Sequence, residues 1–500
     1  MDQSSEKPKF NLRLLIDEKK NKVVMAEADM DFVDVLCGLL TLPMGTIVRL
    51  LEKHQNPQSF TVGCFTNLYK SVSDMSVDNF ETQACKDLLL YPRSLKESHC
   101  RRLKLNLDDT ESTKFFVYPR FVLGKSCSKV YSNICNSLCS CGKLMNREVQ
   151  IEEEDQDEGD GVFLSCRSSF IITDDLKLVF NSIGNVMSVL NDLGYDGFDK
   201  LQERLLEVGS DEVMTLIECL FNSDTPLTDT FLRGNCVSRK QKFWAPLVQE
   251  SIVAGPQTLK VFVRKVDRVI LYAECREEFV DFLFSFLAIP IEFVGKFCSD
   301  NANISCIGNL CRSVKGLSLE EEGDTTVTNC VLPHFYNCRA QLLDVVIQEV
   351  PEYECLVTRL FCSQYNASKL CKRIEKNNLL SDQKIVKLSP MNPKSKGTSD
   401  SLGIGFVKGK TNFMVSDDLH VTAMNSSSTI SMLSKLQVNI NDIEEQVISI
   451  GKAEAISLLR ASLVTTSALT NGLSKFLPNG KRKNATHQST FKILKIESTR

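Results

Sequence analysis

The chain lacks an apolar run of the roughly 18 to 20 residues that a membrane-spanning helix needs. Its best stretch, Phe279 to Phe297, contains Asp281, Glu292 and Lys296 and is interrupted by Pro290. The first ten residues, MDQSSEKPKF, contain no apolar signal-peptide core. We therefore expect a protein of the cytoplasm or nucleus with no membrane contact.

Several signatures of catalysis are also absent. No Gly-x4-Gly-Lys-Ser/Thr phosphate loop occurs, and Gly403, Gly405 and Gly409 have the wrong spacing for a dinucleotide fingerprint. The five histidines are scattered, and none adjoins a serine or cysteine elbow. A non-catalytic protein is favoured, although catalytic groups can converge from distant parts of a chain.

An excess of charge of one sign is missing as well. The 59 basic and 63 acidic residues give a net charge of -4, so the chain as a whole does not resemble a polyanion-binding protein. With 500 residues, 43% of them hydrophobic, the chain is long enough for two to four domains with ordinary cores.

The chain does contain a long internal repeat. Residues 12–51 return as residues 259–298, with every residue number raised by 247. The recurring residues Leu12, Ala26, Glu27, Phe32, Val33, Asp34, Leu36, Leu40 and Pro43 correspond to Leu259, Ala273, Glu274, Phe279, Val280, Asp281, Leu283, Leu287 and Pro290. We interpret the chain as a tandem duplication of a unit of about half its length.

Each copy opens on a predicted β-hairpin. Two apolar segments, 12–16 and 23–26, flank the polar turn 17–22, a pattern typical of antiparallel strands. Apolar residues at helical spacing follow, with Asp29 or Asp31 placed to cap the first helix. Pro43 is expected to end that helix and open another.

The second part of each copy opens on a predicted strand and turn containing two aspartates, Asp174 and Asp175 in the first copy and Asp417 and Asp418 in the second. The aspartates are expected to form turns rather than hold a cation, because adjacent strand residues point to opposite faces. We expect a helix to end at Gly209 and another to begin at residues 210–212, so this part is predicted to be mostly helical. The same expectation applies to Gly451 in the second copy.

The predicted fold class is therefore α+β, with each unit formed by a β-hairpin with helices followed by a strand-plus-helices half. The predicted boundaries are residues 1–110 and 111–233 for the two halves of unit one, 234–257 for a linker, 258–345 and 346–475 for the two halves of unit two, and 476–500 for a basic tail.

Two stretches of this pattern resemble a known family. Residues 24–48 and 405–473, which include GFVKGKTNFMVSDDLHV, are similar to the plant proteins grouped as domain-of-unknown-function family 674. The resemblance spans nearly the whole chain. It implies an intracellular plant protein, and it carries no catalytic residues because the family has no established activity.

Cysteines are numerous, with twenty in the chain, and most are interpreted as reduced, buried hydrophobes. The best candidate zinc ligands are Cys127, Cys135, Cys139 and Cys141, since zinc requires thiolates or imidazoles gathered around one point. The paired Cys-x2-Cys knuckles typical of zinc modules are absent, so structural cysteines in a strand and turn remain the alternative.

The favoured function is an interaction or regulatory module that binds a protein partner, because a duplicated unit offers two related surfaces. The alternatives are a zinc-stabilised module that contacts nucleic acid or a protein, and an enzyme with a pocket between the units.

Metal analysis tests the zinc alternative. If the four cysteines bind zinc, the purified protein contains about one zinc per chain, and changing Cys139 and Cys141 to serine removes it. Protein without zinc, or zinc that survives these substitutions, would argue against the site.

Overall fold

The structure is a computed structural model. It describes residues 8–54, 62–94, 96–119, 121–122, 129–135, 137–138, 142–151, 161–164, 168–198, 201–236, 257–298, 305–320, 342–343, 352–359, 364–371, 380–391, 405–425, 427, 430–431, 434 and 438–477.

The first copy begins with the predicted hairpin, formed by strands β1 (Phe10–Asp17) and β2 (Lys22–Ala28). Helix α1 (Met30–Leu40) follows, and the side chain of Asp29 caps it by accepting a hydrogen bond from the Phe32 amide at 3.0 Å. Helix α2 (Met44–His54) starts directly after Pro43, as expected.

Among the described residues, the remaining elements of the first copy are three short helices, a run of eight short strands and a final group of three helices and one strand. They are α3 (Phe65–Asp74), α4 (Gln83–Leu90), α5 (Glu97–Arg102), β3 (Phe115–Val117), β4 (Phe121–Val122), β5 (Val130–Tyr131), β6 (Ser137–Leu138), β7 (Leu144–Met145), β8 (Arg147–Val149), β9 (Phe170–Thr173), β10 (Leu178–Phe180), α6 (Ile183–Asp192), β11 (Leu201–Val208), α7 (Ser210–Asn222) and α8 (Pro226–Thr228).

The second copy opens on a hairpin and helices in the same order. Its elements are β12 (Gln257–Arg264), β13 (Ile270–Arg276), α9 (Glu277–Ser285), α10 (Ile291–Cys298), α11 (Ser305–Glu320), β14 (Tyr353–Arg359), β15 (Gln364–Cys371), β16 (Gln383–Pro390), β17 (Asn412–Ser416), β18 (Val421–Ala423), β19 (Ile443–Ile450), α12 (Lys452–Val464) and α13 (Ala468–Leu473). The α+β fold class is thus confirmed.

Two five-stranded antiparallel sheets have equivalent strand orders. The first has the order β10-β9-β2-β1-β11, and the second has the order β18-β17-β13-β12-β19. Both hairpins carry a β-bulge at the same place, after Leu15 in the first and after Phe262 in the second. The equal order and the equal bulge support the proposed duplication.

A third sheet mixes the two copies. Its strand order is β4-β15-β14-β16-β5, and β4 and β5 come from residues 121–131. A small separate core lies against it and contains Phe115, Val117, Tyr131, Val149, Cys355, Val357, Leu370 and Leu388. This sheet was not predicted. Its outer strands β4 and β5 have two residues each and leave almost no periodic signal, and they pair with strands more than 200 residues away in the chain.

The prediction that helices end at Gly209 and Gly451 is wrong. The residues before these glycines form strands β11 and β19, which pair along their full length with β1 and β12. The seven-residue spacing of Leu201 and Val208 fits two helical turns, but pairing with β1 satisfies the backbone hydrogen bonds instead. The helices α7 and α12 do begin where expected, and Glu212 accepts the Gly209 amide at 2.8 Å.

A buried aspartate in the first helix of each copy holds a distant segment. Asp34 accepts amides from Val162 and Phe163 at 2.6 and 3.0 Å. Asp281 accepts the amides of Phe406 and Val407 at 2.8 and 3.0 Å. These amides compensate the cost of burying each carboxylate within the core.

The two copies exchange contacts reciprocally. The side chain of Asn67 in α3 donates to the backbone oxygen of Asp418 at 2.9 Å, and Asn309 in α11 donates to that of Asp175 at 2.8 Å. Ser71 and Ser313, four residues further along each helix, accept amides of the opposite copy, from Val421 and Leu178, both at 2.9 Å. Each aspartate turn is therefore held by a helix of the other copy.

These exchanged bonds predict an effect on stability. Replacing Asn309 with alanine removes two donors from the partly exposed oxygens of Asp175, so we expect the free energy of unfolding to fall by about 0.5 to 1.5 kcal/mol. Asn67→Ala should act in the same direction. Chemical denaturation measures the change, and Asn441→Ala, on an exposed turn, is the control. Equal losses for all three variants would contradict the role of the exchange.

Candidate functional site

The predicted zinc ligands remain untested by the geometry. Cys135 lies in an exposed turn after β5, whereas Cys127, Cys139 and Cys141 lie outside the described residues. The four-cysteine site stays a prediction.

Many of the described cysteines are buried thiols. Burial raises the pKa of Cys37, Cys64 and Cys275 far above the range in which a thiol ionises at neutral pH. A protonated thiol is a poor nucleophile and a poor metal ligand. These three cysteines therefore contribute to packing, as the sequence indicated.

The paired aspartates separate into two roles. The Asp174 carboxylate accepts hydrogen bonds from the amide and hydroxyl of Thr228 at 2.9 and 2.8 Å, while the Thr228 hydroxyl accepts the Val23 amide at 2.9 Å. Asp175 instead accepts the Thr173 hydroxyl at 2.5 Å and the Asn309 side chain at 2.9 Å. The two carboxylates of the pair thus have separate partners.

The second copy repeats this arrangement. Asp417 accepts the amide and hydroxyl of Thr470 at 2.7 and 3.0 Å, and the Thr470 hydroxyl accepts the Ile270 amide at 3.0 Å. Burial raises the pKa of both Asp174 and Asp417 to about 6, although the threonine hydrogen bonds oppose the shift. In each copy a carboxylate, buried at Asp174 and partly buried at Asp417, connects the hairpin to the helices that follow it through a threonine.

A cavity of about 440 Å³ lies beside this aspartate in the first copy, between the hairpin turn, the aspartate turn and α6. Its walls combine an apolar floor with a polar rim. The lining residues are Lys20, Lys22, Val23, Val24, Thr173, Asp174, Asp175, Lys177, Val179, Asn185, Ser188, Val189, Asp192, Leu193, Tyr195 and Asp224.

Carboxylates accompany the three lysines of the cavity rim. Lys22 lies 3.9 Å from Asp174, and Lys177 lies 3.4 Å from Asp175. Lys20 lies 3.4 Å from Asp17. These ion pairs balance the charge of the rim, so the cavity suits a ligand with an apolar body and polar ends better than a polyanion.

Sequence reasoning missed this cavity because its residues come from four distant segments. Comparing the cavity-lining residues of the first copy with the equivalent residues of the second copy could have indicated part of the site. At the positions equivalent to Lys20 and Lys22 the second copy has Asp267 and Val269. The lysines at these two positions therefore belong to the first copy, whereas the turn of the second copy carries Lys265 instead.

A second feature is shared by both copies and faces outward. Three large apolar side chains on the outside of the first sheet or on its flanking elements are exposed to solvent, and their equivalents in the second copy are exposed as well. The pairs are Met187 and Ile430, Phe198 and Ile440, and Leu205 and Val447.

Comparison with known proteins adds a family assignment. Residues 6–453 match the family described as Protein of unknown function (DUF674). The chain belongs to this family. The match runs from before β1 to just past β19, so the DUF674 region includes both equivalent sheets. Neither a curated protein nor a solved structure matches the chain.

Within the described part of the DUF674 chain, no helix has both the length and the hydropathy required to cross a bilayer.

The raised pKa values predict a pH dependence. Because the folded-state pKa of Asp174 and Asp417 lies above the unfolded value of 3.8, the folded state holds these protons more tightly. Their contribution to stability is therefore complete below about pH 4 and is lost as pH rises through about 6.

Removing the two charges should flatten this dependence. In Asp174→Asn with Asp417→Asn, we expect the loss of stability between about pH 4 and pH 7 to shrink by about 2 kcal/mol per site. Denaturation curves at both pH values measure it, with the exposed Asp196→Asn as the control. An unchanged pH profile would show that the carboxylates ionise normally.

Proposed function

We propose that this DUF674 protein is a non-catalytic interaction or regulatory module of the cell interior, which binds protein partners through two related outward faces. The observation that carries the proposal is the recurrence of exposed apolar residues at equivalent positions of both copies. The duplication itself is part of the proposal.

Exposure is substantial at all three repeated positions. The exposed fractions are 46% and 67% for Met187 and Ile430, 58% and 77% for Phe198 and Ile440, and 65% and 55% for Leu205 and Val447. Single exposed apolar side chains are ordinary on protein surfaces. Three at equivalent places in the two copies favour a shared use, since burying the exposed part of each against a partner contributes about 1 to 2 kcal/mol.

Charged residues adjoin these apolar positions in both copies. Leu205 pairs in register with Arg13, whose guanidinium lies 3.1 Å from Glu203. Val447 pairs with Lys260, whose ammonium lies 3.2 Å from Glu445. An apolar centre with a charged rim is the usual composition of a protein interface.

The chemistry of the described residues supports a non-catalytic role. Burial keeps Cys37, Cys64 and Cys275 protonated, and the lysines of the cavity are paired with carboxylates. Free thiols also agree with a reducing compartment, cytoplasm or nucleus.

The alternatives differ in which residues they need. A zinc-stabilised module that contacts nucleic acid or protein requires Cys127, Cys135, Cys139 and Cys141. An enzyme requires a pocket with reacting groups. The cavity beside Asp174 is lined by residues 20–224 only, so it lies within the first copy rather than between the copies.

Affinity capture from a plant cell extract tests the proposal. We expect the full chain to retain specific partners, and the double variant Leu205→Glu with Val447→Glu to lose them, because each glutamate places a charge at the centre of an apolar face. Each single variant should lose part of the binding. Circular dichroism and melting temperature should stay unchanged, since both side chains are exposed.

The matched control is Val266→Glu. Val266 is apolar and 84% exposed, but its equivalent in the first copy is Lys19, so this position is not repeated. Partners that survive the double variant, or that are lost equally with Val266→Glu, would refute the two-face proposal. Turnover of a small molecule that depends on a cavity residue such as Lys22 would favour the enzyme.

A further inference from the structure

Three ligand-type side chains converge at the end of the first copy. Cys219 lies in α7, Asp229 begins the turn after α8, and Cys236 follows two residues after Gly234. Their ligand atoms, two sulfurs and a carboxylate oxygen, all lie within 4.8 Å of one another. Tetrahedral zinc with bonds of about 2.0 to 2.3 Å separates its ligand atoms by about 3.5 to 3.8 Å, so small side-chain adjustments suffice.

The backbone at this place is unusual. Residues Asp229–Arg233 form a π-helical turn, a rare conformation that is concentrated at functional sites. The equivalent stretch of the second copy is ordinary, since α13 (Ala468–Leu473) continues into the 3-10 turn Ser474–Phe476. Gly234, with φ of 69°, ends the π turn in the left-handed conformation and reverses the chain before Cys236.

The second copy also shows that the fold does not need these side chains. Ala461 stands at the position of Cys219, and Asn471 stands at that of Asp229. Both helix pairs nevertheless pack against the main core. The fold of this helix pair therefore does not require a cysteine and an aspartate at these positions.

Neighbouring groups orient the carboxylate. Asp229 is buried and accepts the Ser223 hydroxyl at 2.6 Å, while Arg233 forms an ion pair with its other oxygen. Each oxygen has a further lone pair for a metal. Metal-binding carboxylates are usually hydrogen-bonded in this way by a surrounding layer of residues.

We propose that Cys219, Asp229 and Cys236 bind a zinc ion, with water as the fourth ligand. Two thiolates and one carboxylate carry three negative charges, which zinc and the Arg233 guanidinium together neutralise. This balance removes the cost of burying a net charge. Cys236 is half-buried, so the site has access to solvent from its side.

The Cys219 thiol is neutral in the absence of metal. The hydrogen bond to Cys236, followed by burial, raises the pKa of Cys219, so the free thiol stays protonated. Zinc binding forms two metal–sulfur bonds and releases both thiol protons to water.

Cobalt titration of the full chain tests the proposal. The protein is purified under reducing conditions, stripped with a chelator and titrated with Co²⁺, which replaces zinc and reports thiolate ligands by charge-transfer absorption. We expect a tetrahedral cobalt spectrum that the variant Cys219→Ala with Asp229→Asn loses. Ser223→Ala should weaken binding by about 10- to 100-fold, because the carboxylate loses its orienting donor.

Two controls separate this site from other cysteines. Cys275→Ser, at a buried thiol in β13, and Cys139→Ser with Cys141→Ser should keep the cobalt spectrum of this site. The double variant Cys219→Ala with Asp229→Asn should remain folded by circular dichroism, since the second copy has Ala461 and Asn471 at the equivalent positions. Absence of binding, binding that survives this double variant, or formation of a Cys219–Cys236 disulfide without metal uptake by the reduced protein would each overturn the proposal.

Discussion

The structure depends on reciprocal contacts between the two copies, in which helices α3 and α11 each hydrogen-bond to the aspartate turn of the opposite copy. Asn67 and Asn309 each complete an aspartate turn of the opposite copy, and the two copies also meet at their prolines, where Met44 donates to the Ile289 oxygen at 2.8 Å. Buried backbone groups left without partners cost about 1 to 3 kcal/mol each. The backbone oxygens of Asp175 and Asp418 each accept a hydrogen bond from a helix of the opposite copy. The apolar residues of both copies also form one main core.

This reciprocity makes the differences between the copies informative. The hydrogen bonds from threonine to aspartate are the same in both, so they belong to the common architecture. The cavity uses Lys20 and Lys22, which correspond to Asp267 and Val269 in the second copy. The cluster uses Cys219 and Asp229, which correspond to Ala461 and Asn471. We propose ligand chemistry for the first copy and partner binding for the faces that the copies share.

Local signals predicted the elements they encode directly. The polar turn 17–22 between two apolar segments predicted the hairpin, and Pro43 predicted the break between α1 and α2. A cap at Asp29 or Asp31 was predicted, and the structure has it at Asp29. The strand β11 was missed because the spacing of Leu201 and Val208 fits a helix equally well. Its partner, β1, lies almost 200 residues away in the chain, and no local pattern records that pairing.

The sequence by itself determined the α+β class, the repeat and the family, since each depends on residue types and their spacing along the chain. Tertiary structure alone decided the cavity, the reciprocal contacts between the copies and the meeting of Cys219 with Cys236. These features depend on which distant segments become neighbours. A carboxylate such as Asp174 acquires its raised pKa only after burial beside Thr228, 54 positions away.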